Sequence, residues 1–518
     1  MRGAESLLAA AKAAGIEICF ANPGTTEIPL VEAFDAASGG DGIRTVLGLS
    51  EGVVTGAADA YARLTGVPSM TLLHLGPGFA NGIANLHNAR RARTPLVNVV
   101  GEHASWHQAA DAPLASDIES LAAPVSGWVG RTGSAESAAD DFVQARQAAL
   151  QHRLPATLIA AADHMWAEGG RPARIPAPPP MSTVDEQRVA AAAKAVSGGE
   201  RPALVLGGNA LAPDAIREAT RIAGALGGEV FAERSPARID RGPDVPAIAS
   251  LPYFPEDTLR ALEGFSDLVL IGTGTPVAFF GYEGQPSVPV PEGARVHALA
   301  DAGEDAASAV RDLGEAAGCA GAEIPPQRPA ELPDEPTGSL TPSAVAAAIV
   351  LCQPEAAVVV NEGVSSSAAY PKFAPAAPRH TELTLTGGAI GMGIPAATGA
   401  ALARPDSQVI DFQADGSALY TLQGLWTQAR EGLDVTTVIC ANSRYRILEA
   451  ELSRAGVEQP GAAASGMTNL GGPSPDWTAL AGGFGVAASR ARSGAELLGE
   501  LRRALREPGP HLIEAVLE

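Results

Sequence analysis

Residues 409–445 read VIDFQADGSALYTLQGLWTQAREGLDVTTVICANSRY, two apolar runs on either side of a helix-forming segment. The apolar run from Val409 to Asp415 has the length of a buried strand, Ala418 to Arg430 has helix-forming composition, and Val435 to Ala441 is β-branched and apolar. Strand, helix and strand make a βαβ unit, whose right-handed crossover lays the two strands parallel. Asp415 and Asn442 each stand just past a strand end, so the unit brings both to one carboxyl edge, where open α/β sheets bind ligands. A carboxylate, an amide oxygen and the backbone carbonyl of the following turn suit Mg²⁺ when phosphate oxygens and water complete its octahedron. An Asp-Gly turn and an Asn turn without any ligand fit the same spacing.

At 518 residues the chain has room for about three domains of ordinary size. Its 36 basic and 58 acidic residues leave a net charge of −22, which repels nucleic acid and anionic membrane surfaces. The one dense basic run, Arg90-Arg91-Ala92-Arg93, continues a helix-like stretch from Asn81 and reads as a solvated helix end. Cys19, Cys319, Cys352 and Cys440 lie far apart without CxxC spacing, and read as reduced core residues. The N-terminal MRGAESLLAAAKAAG carries charges through an amphipathic pattern, which is a helix of the fold and no signal peptide. No run approaches the length of a membrane span. A cytoplasmic protein is expected.

Two proline-rich stretches, Pro172 to Pro180 and Ile324 to Pro342, can continue neither a helix nor an inner strand, and read as linkers. They separate three blocks, 1–170, 184–323 and 343–518, each with strands alternating with helical stretches. The expected class is α/β, with three doubly wound parallel-sheet domains.

In the first block a strand, IEICFA, runs into Asn22-Pro23-Gly24-Thr25-Thr26-Glu27, and Glu51 opens a helix with small and apolar turns. A carboxylate there also serves as an ordinary cap on the helix dipole. A second strand ends at His74 and continues through a glycine-rich turn, LGPG, into a helix. Such a turn could cradle a phosphate, although its glycine spacing is not GxGxxG. The middle block offers the strand-to-glycine turns ALVLGGNA and LVLIGTGTP, read as tight turns in preference to nucleotide seats. In the third block, AAVVVNEGVSSS leads to LTGGAIGMGIP, whose glycines 387, 388, 391 and 393 and following helix N-terminus make a potential diphosphate cradle.

Taken in order from Asn22, these motifs resemble the thiamine-diphosphate-dependent enzymes of the acetolactate synthase, benzoylformate decarboxylase and pyruvate oxidase group. That family's metal signature falls on Asp415-Gly416, Asn442 and the Arg444 carbonyl, with Ala414 in place of the usual first glycine. The resemblance implies that Glu51 pairs with the aminopyrimidine ring, that the Gly388 carbonyl accepts from its amino group and that Ile390 props the cofactor in its V shape. Gly416, Ser417, Ser365 and Tyr445 complete the implied cofactor contacts. NPGTTEIP, LLHLGPG, NEGVSSS and DGSALYTLQGLWTQA bring the chain nearest to benzoylformate decarboxylase. By that comparison Thr25 replaces an active-site serine and His74 takes the place of a proton-relaying histidine. A second histidine has no counterpart, since Gly281 in PVAFFGYEG falls there. Leu114, Arg446, Ile447 and Leu448 fall where substrate pockets are lined, and Arg446 facing solvent is an equally open reading. The implied activity is decarboxylation of a 2-oxo acid through a C2 enamine, with acetolactate-synthase-like carboligation as the alternative. A cofactor-binding paralogue without turnover and a nucleotide-binding oxidoreductase stay open. Thiamine diphosphate and Mg²⁺ are the expected cofactors, FAD is not expected, and a homodimer or homotetramer with sites between subunits is implied.

Overall fold

A computed structural model describes residues 1–37, 42–198, 201–326 and 330–518. Gln327, Arg328 and Pro329 of the second proline-rich stretch lie outside the described residues. The chain forms two compact units, one of Met1–Pro179, Pro333–Tyr370 and Leu385–Glu518, the other of Pro180–Leu332 and Pro371–Thr384.

The first unit contains a sheet of six strands in the spatial order Arg44–Leu47, Ile18–Asn22, Ser69–His74, Leu96–Glu102, Ala156–Ala161 and Trp128–Arg131. Every pairing in it is parallel. Successive strand residues point to opposite faces, so Leu72 joins the core beneath helices Gly3–Ala13 and Ala138–His152, while Leu73 joins the core beneath Glu51–Thr65 and Leu75–Arg91. Both faces are covered by helices. Burying each leucine removes about 1.5–3 kcal/mol of unfavourable apolar exposure.

A second parallel array in this unit runs Ala487–Ala491, His511–Val516, Val435–Ala441, Val409–Ala414 and Ala357–Glu362. The predicted strands on either side of the opening stretch are there. The predicted helix from Ala418 to Arg430 is not continuous: a short helix Asp415–Ala418 is separated from Gly424–Glu431 by turns. The break has a tertiary cause. The Thr421 hydroxyl donates to the Gly391 carbonyl at 2.9 Å, a contact that holds the segment against another loop.

The helices Glu51–Thr65 and Gly393–Ala403 cross through small residues. A Cβ added at Gly56 would lie 2.7 Å from Pro395 Cβ, and one at Gly399 would overlap the Ala57 carbonyl oxygen. Glycine is required at both positions because backbone and ring approach closely there.

The second unit has five parallel strands in the order Ala249–Ser250, Glu229–Ala232, Pro202–Leu206, Asp267–Ile271 and Arg295–Ala300. Ile239–Arg241 pairs antiparallel with His380–Thr384, supported by a buried Arg241–Glu382 ion pair at 2.8 Å. The two glycine turns meet each other, since a Cβ on Gly207 would lie 2.7 Å from the Gly272 carbonyl oxygen. At the nearby helix Ala306–Ala316, Asn209 Oδ1 accepts from the amides of Ala306 and Ala307, and Asp305 caps Ser308. These glycines act in tight turns. Among the described residues no helix is long and apolar enough to cross a membrane, and Cys19, Cys319 and Cys440 are buried free thiols.

Candidate functional site

Strands Val409–Ala414 and Val435–Ala441 are in parallel register, Ala414 opposite Cys440, and this places Asp415 and Asn442 at one edge. Asp415 Oδ1 accepts from the Gly416 amide at 2.8 Å, and Oδ2 from the Ser443 amide at 2.7 Å. Ser443 has φ +55°, a left-handed turn that brings its N–H back toward Asp415. Asn442 Oδ1 accepts from the Arg444 amide at 2.9 Å. Burial raises the Asp415 carboxyl above its ordinary range, against the amides that donate to it. A divalent cation would relieve that cost, and a carboxylate, an amide oxygen and a carbonyl are hard oxygen donors of the type Mg²⁺ takes. The residues therefore fit a magnesium-held diphosphate. The Arg444 side chain is exposed and lies 3.7 Å from Glu449. Gly416 and Ser417 are buried beside Asp415 in the same short helix, and the Tyr445 ring abuts Gly416. Burial raises the Tyr445 phenol, with Tyr420 adding to it. Ser365 lies in the turn Val364–Ser367, just past strand Ala357–Glu362, at the same sheet edge.

The glycine-rich loop is held from below by Glu362, a residue the sequence reading passed over. Its Oε1 accepts from the amides of Gly391 and Met392 at 2.9 and 3.0 Å, and its Oε2 from Gly393 N at 2.8 Å and Gln413 Nε2 at 2.9 Å. Burial still pushes this carboxyl up despite four donors. The expected diphosphate cradle at this helix start is thus corrected: a buried carboxylate takes those amides, because the strand ending at Glu362 delivers it to the helix N-terminus. Gly388 and Gly391 have φ +74° and +99°, and a Cβ on Gly391 would lie 2.7 Å from Tyr420 Cβ. Ile390 is half-buried in this loop.

Helix Leu75–Arg91 presents Asn81, Asn85 and Asn88 on one face. Asn81 Nδ2 donates to Glu51 Oε2 at 3.1 Å, Asn85 Nδ2 to the carbonyls of Gly52 and Gly391 at 2.9 and 3.2 Å, and Asn88 Nδ2 to the Ala389 carbonyl at 2.8 Å. The stripe ties the Glu51 turn to the glycine loop within one chain. Its signal was in the sequence, three amides at helical spacing, and it was missed. The predicted glycine turn before this helix is also corrected, since the helix begins at Leu75 and the glycines form its first turns.

Glu51 is buried at 6% exposure, first in its helix behind the Ser50 cap. A Cβ on Gly78 would lie 2.8 Å from Glu51 Oε1 and 3.3 Å from His74 Cβ, so the two predicted groups flank one glycine. His74 Nδ1 lies 2.8 Å from Glu27 Oε2. Thr25 is exposed, and the hydroxyl near His74 is that of Thr26, at 3.4 Å. Leu114 is exposed in the loop before helix Ile118–Ala122. Arg446, Ile447 and Leu448 form the first turn of helix Arg446–Arg454, with Arg446 and Leu448 exposed and Ile447 half-buried.

The chain is similar to known proteins. Residues 1–121 match the N-terminal TPP-binding domain of thiamine pyrophosphate enzymes, and residues 363–515 match the C-terminal TPP-binding domain. The chain is 45% identical over 521 residues to the Mycobacterium tuberculosis protein IlvX, whose name refers to an acetolactate synthase large subunit, covering 100% of this chain and 99% of that relative. It is 31% identical over 536 residues to benzoylformate decarboxylase of Pseudomonas aeruginosa, covering 96% of each. The thiamine-diphosphate-dependent 4-hydroxybenzoylformate decarboxylase of Rhodococcus jostii superposes with a TM-score of 0.85 at 25% identity, covering 100% of this chain and 99% of that one. With both cofactor-binding domains matched and full-length relatives at this identity, the chain belongs to the thiamine-pyrophosphate-dependent enzyme family.

Proposed function

We propose that this enzyme decarboxylates a 2-oxo acid with thiamine diphosphate and Mg²⁺, in the manner of a benzoylformate decarboxylase. The observation that carries the reading is the buried Glu51, held by Asn81, in a chain that also brings the Asp415 and Asn442 oxygens to one sheet edge; between two subunits the Glu51 of one would face the Asp415 of the other. The bound cofactor supplies the carbon that attacks the substrate carbonyl and holds the electron pair left by carbon dioxide. Asp415, Asn442 and the Arg444 carbonyl would hold the metal and through it the diphosphate, with Gly416, Ser417, Ser365 and Tyr445 around it. Glu51 would share a proton with the aminopyrimidine ring, the Gly388 carbonyl would accept from its amino group, and Ile390 would prop the cofactor in its V shape. His74 would move a proton at the substrate, and Thr25 would stand in place of the family's active-site serine. Leu114, Arg446, Ile447 and Leu448 would line the substrate pocket, with Arg446 favouring an acidic side chain. The domain boundaries 1–170, 184–323 and 343–518 and a cytoplasmic homodimer or homotetramer belong to the same reading.

Carboligation, in which a second carbonyl compound replaces the proton, is the alternative, favoured by the name of the 45% identical relative. Calorimetry with thiamine diphosphate and Mg²⁺ tests the cofactor. Carbon dioxide release from pyruvate, phenylglyoxylate and a dicarboxylic 2-oxo acid, with product analysis, tests the reaction and separates aldehyde from acyloin. No binding, or binding without carbon dioxide from any of the three, would refute the decarboxylase reading.

A further inference from the structure

The motif NPGTTE contains a carboxylate that the roles above leave unused. Glu27 closes the single turn Thr25–Glu27 and has no solvent exposure. Its Oε2 accepts from the Gly24 amide at 2.7 Å and lies 2.8 Å from His74 Nδ1, and its Oε1 accepts from the Thr26 hydroxyl at 2.5 Å. Two glycines clear space around the pair: a Cβ on Gly101 would overlap the Glu27 carboxyl, and one on Gly24 would overlap the His74 ring. A carboxylate only accepts, so a hydrogen bond across the 2.8 Å between an ionised Glu27 and His74 requires the proton to sit on Nδ1. The His74 side chain is 23% exposed, and both of its ring contacts are made at Nδ1.

We propose that Glu27 is the positioning residue for His74. It fixes the ring in the Nδ1–H tautomer, leaves Nε2 as the nitrogen offered to substrate, and places a negative charge behind the imidazolium formed when Nε2 takes a proton. The proton that enters at Nε2 leaves from Nε2, and Nδ1–H is never lost. A histidine whose second nitrogen is tied to a carboxylate gains both orientation and basicity in this way. The proposal rests on the reading of His74 as the group that moves a proton.

The test uses the full-length chain labelled with ¹⁵N-histidine and read by long-range ¹H–¹⁵N correlation, with the His74 signal identified by its loss in His74→Asn. The expected spectrum shows Nδ1 protonated in the parent. It shows the same in Glu27→Gln, whose amide oxygen can still accept from Gly24 and Nδ1, and a change of tautomer in Glu27→Ala. In carbon dioxide release, Glu27→Ala and Glu27→Gln should lower kcat by about 10–100-fold with thiamine diphosphate affinity unchanged. Either change added to His74→Asn should cost nothing further. A parent His74 protonated at Nε2 would overturn the proposal, as would losses that multiply in the double variant. Should Glu27→Ala fail to fold, the parent tautomer and the Glu27→Gln cycle decide. If no 2-oxo acid is turned over, the decarboxylase reading falls, while the tautomer still decides the role of Glu27.

Discussion

Replacing Glu362 by glutamine preserves the side-chain volume and exchanges one carboxylate oxygen for an NH₂ group. In the parent each oxygen serves two donors, Gly391 and Met392 amides on Oε1, Gly393 amide and Gln413 Nε2 on Oε2. If the NH₂ replaces Oε1, two buried amides lose their acceptor, at about 1–3 kcal/mol each. If it replaces Oε2, Gln413 can turn its own amide and offer Oε1, which has no hydrogen-bond partner in the parent. Only the Gly393 amide is then orphaned, so the second orientation wins and the net loss is about 1–3 kcal/mol. That energy is concentrated in the loop 387–393. Hydrogen exchange of a peptide covering it should accelerate by about 5–150-fold, with a lower urea midpoint and weaker thiamine diphosphate binding by calorimetry. Unchanged exchange together with an unchanged midpoint would refute the four-donor account of this loop.

Glu51→Gln should retain cofactor binding by calorimetry and lose about 10²–10⁴-fold in carbon dioxide release, the scale of a lost general acid–base group. Gly78→Ala places a methyl 2.8 Å from Glu51 Oε1 at a helical position where alanine is favoured by about 0.5–1 kcal/mol; Tm should hold or rise while kcat falls at least about tenfold. In the second unit, burial raises the Glu233 carboxyl from 4.5 to about 7, against the Thr273 hydroxyl that donates to it. A folded value above the unfolded one means stability fully present below about 4.5 and lost as pH rises through about 7, a loss of about 3 kcal/mol. Urea midpoints should fall across that window in the parent and fall by less in Glu233→Gln, where the raised carboxyls of Asp415 and Glu362 still contribute.

What could be read from the sequence was the part written in local pattern. Asp415 and Asn442 follow β-branched runs, Glu51 follows a serine cap, and His74 closes an apolar strand. Each is therefore placed by its own neighbours. Glu362 and Glu27 escaped because most of their donors are backbone amides, and the side chains that complete the sets, Gln413 and His74, lie 51 and 47 residues away in sequence. The break between Ala418 and Gly424 escaped for a related reason: Thr421 bonds a carbonyl 30 residues earlier, and helix propensity gives no hint of that. The asparagine stripe was legible by spacing, but amides at i, i+4 and i+7 look like a solvated face until Glu51 and the glycine loop are set against it.

The close crossing at Gly56 and Gly399 has a consequence for how the chain is made. Helix Glu51–Thr65 leaves the ribosome roughly 340 residues before helix Gly393–Ala403 is complete, which at about 5–20 residues per second is roughly 17–70 s. For that interval a face shaped for contact with backbone stands open on a nascent domain. The close approach needs bare backbone on both sides, Gly56 on the early helix and Gly399 on the late one, so a surface that carries larger side chains cannot seat there as the late helix does.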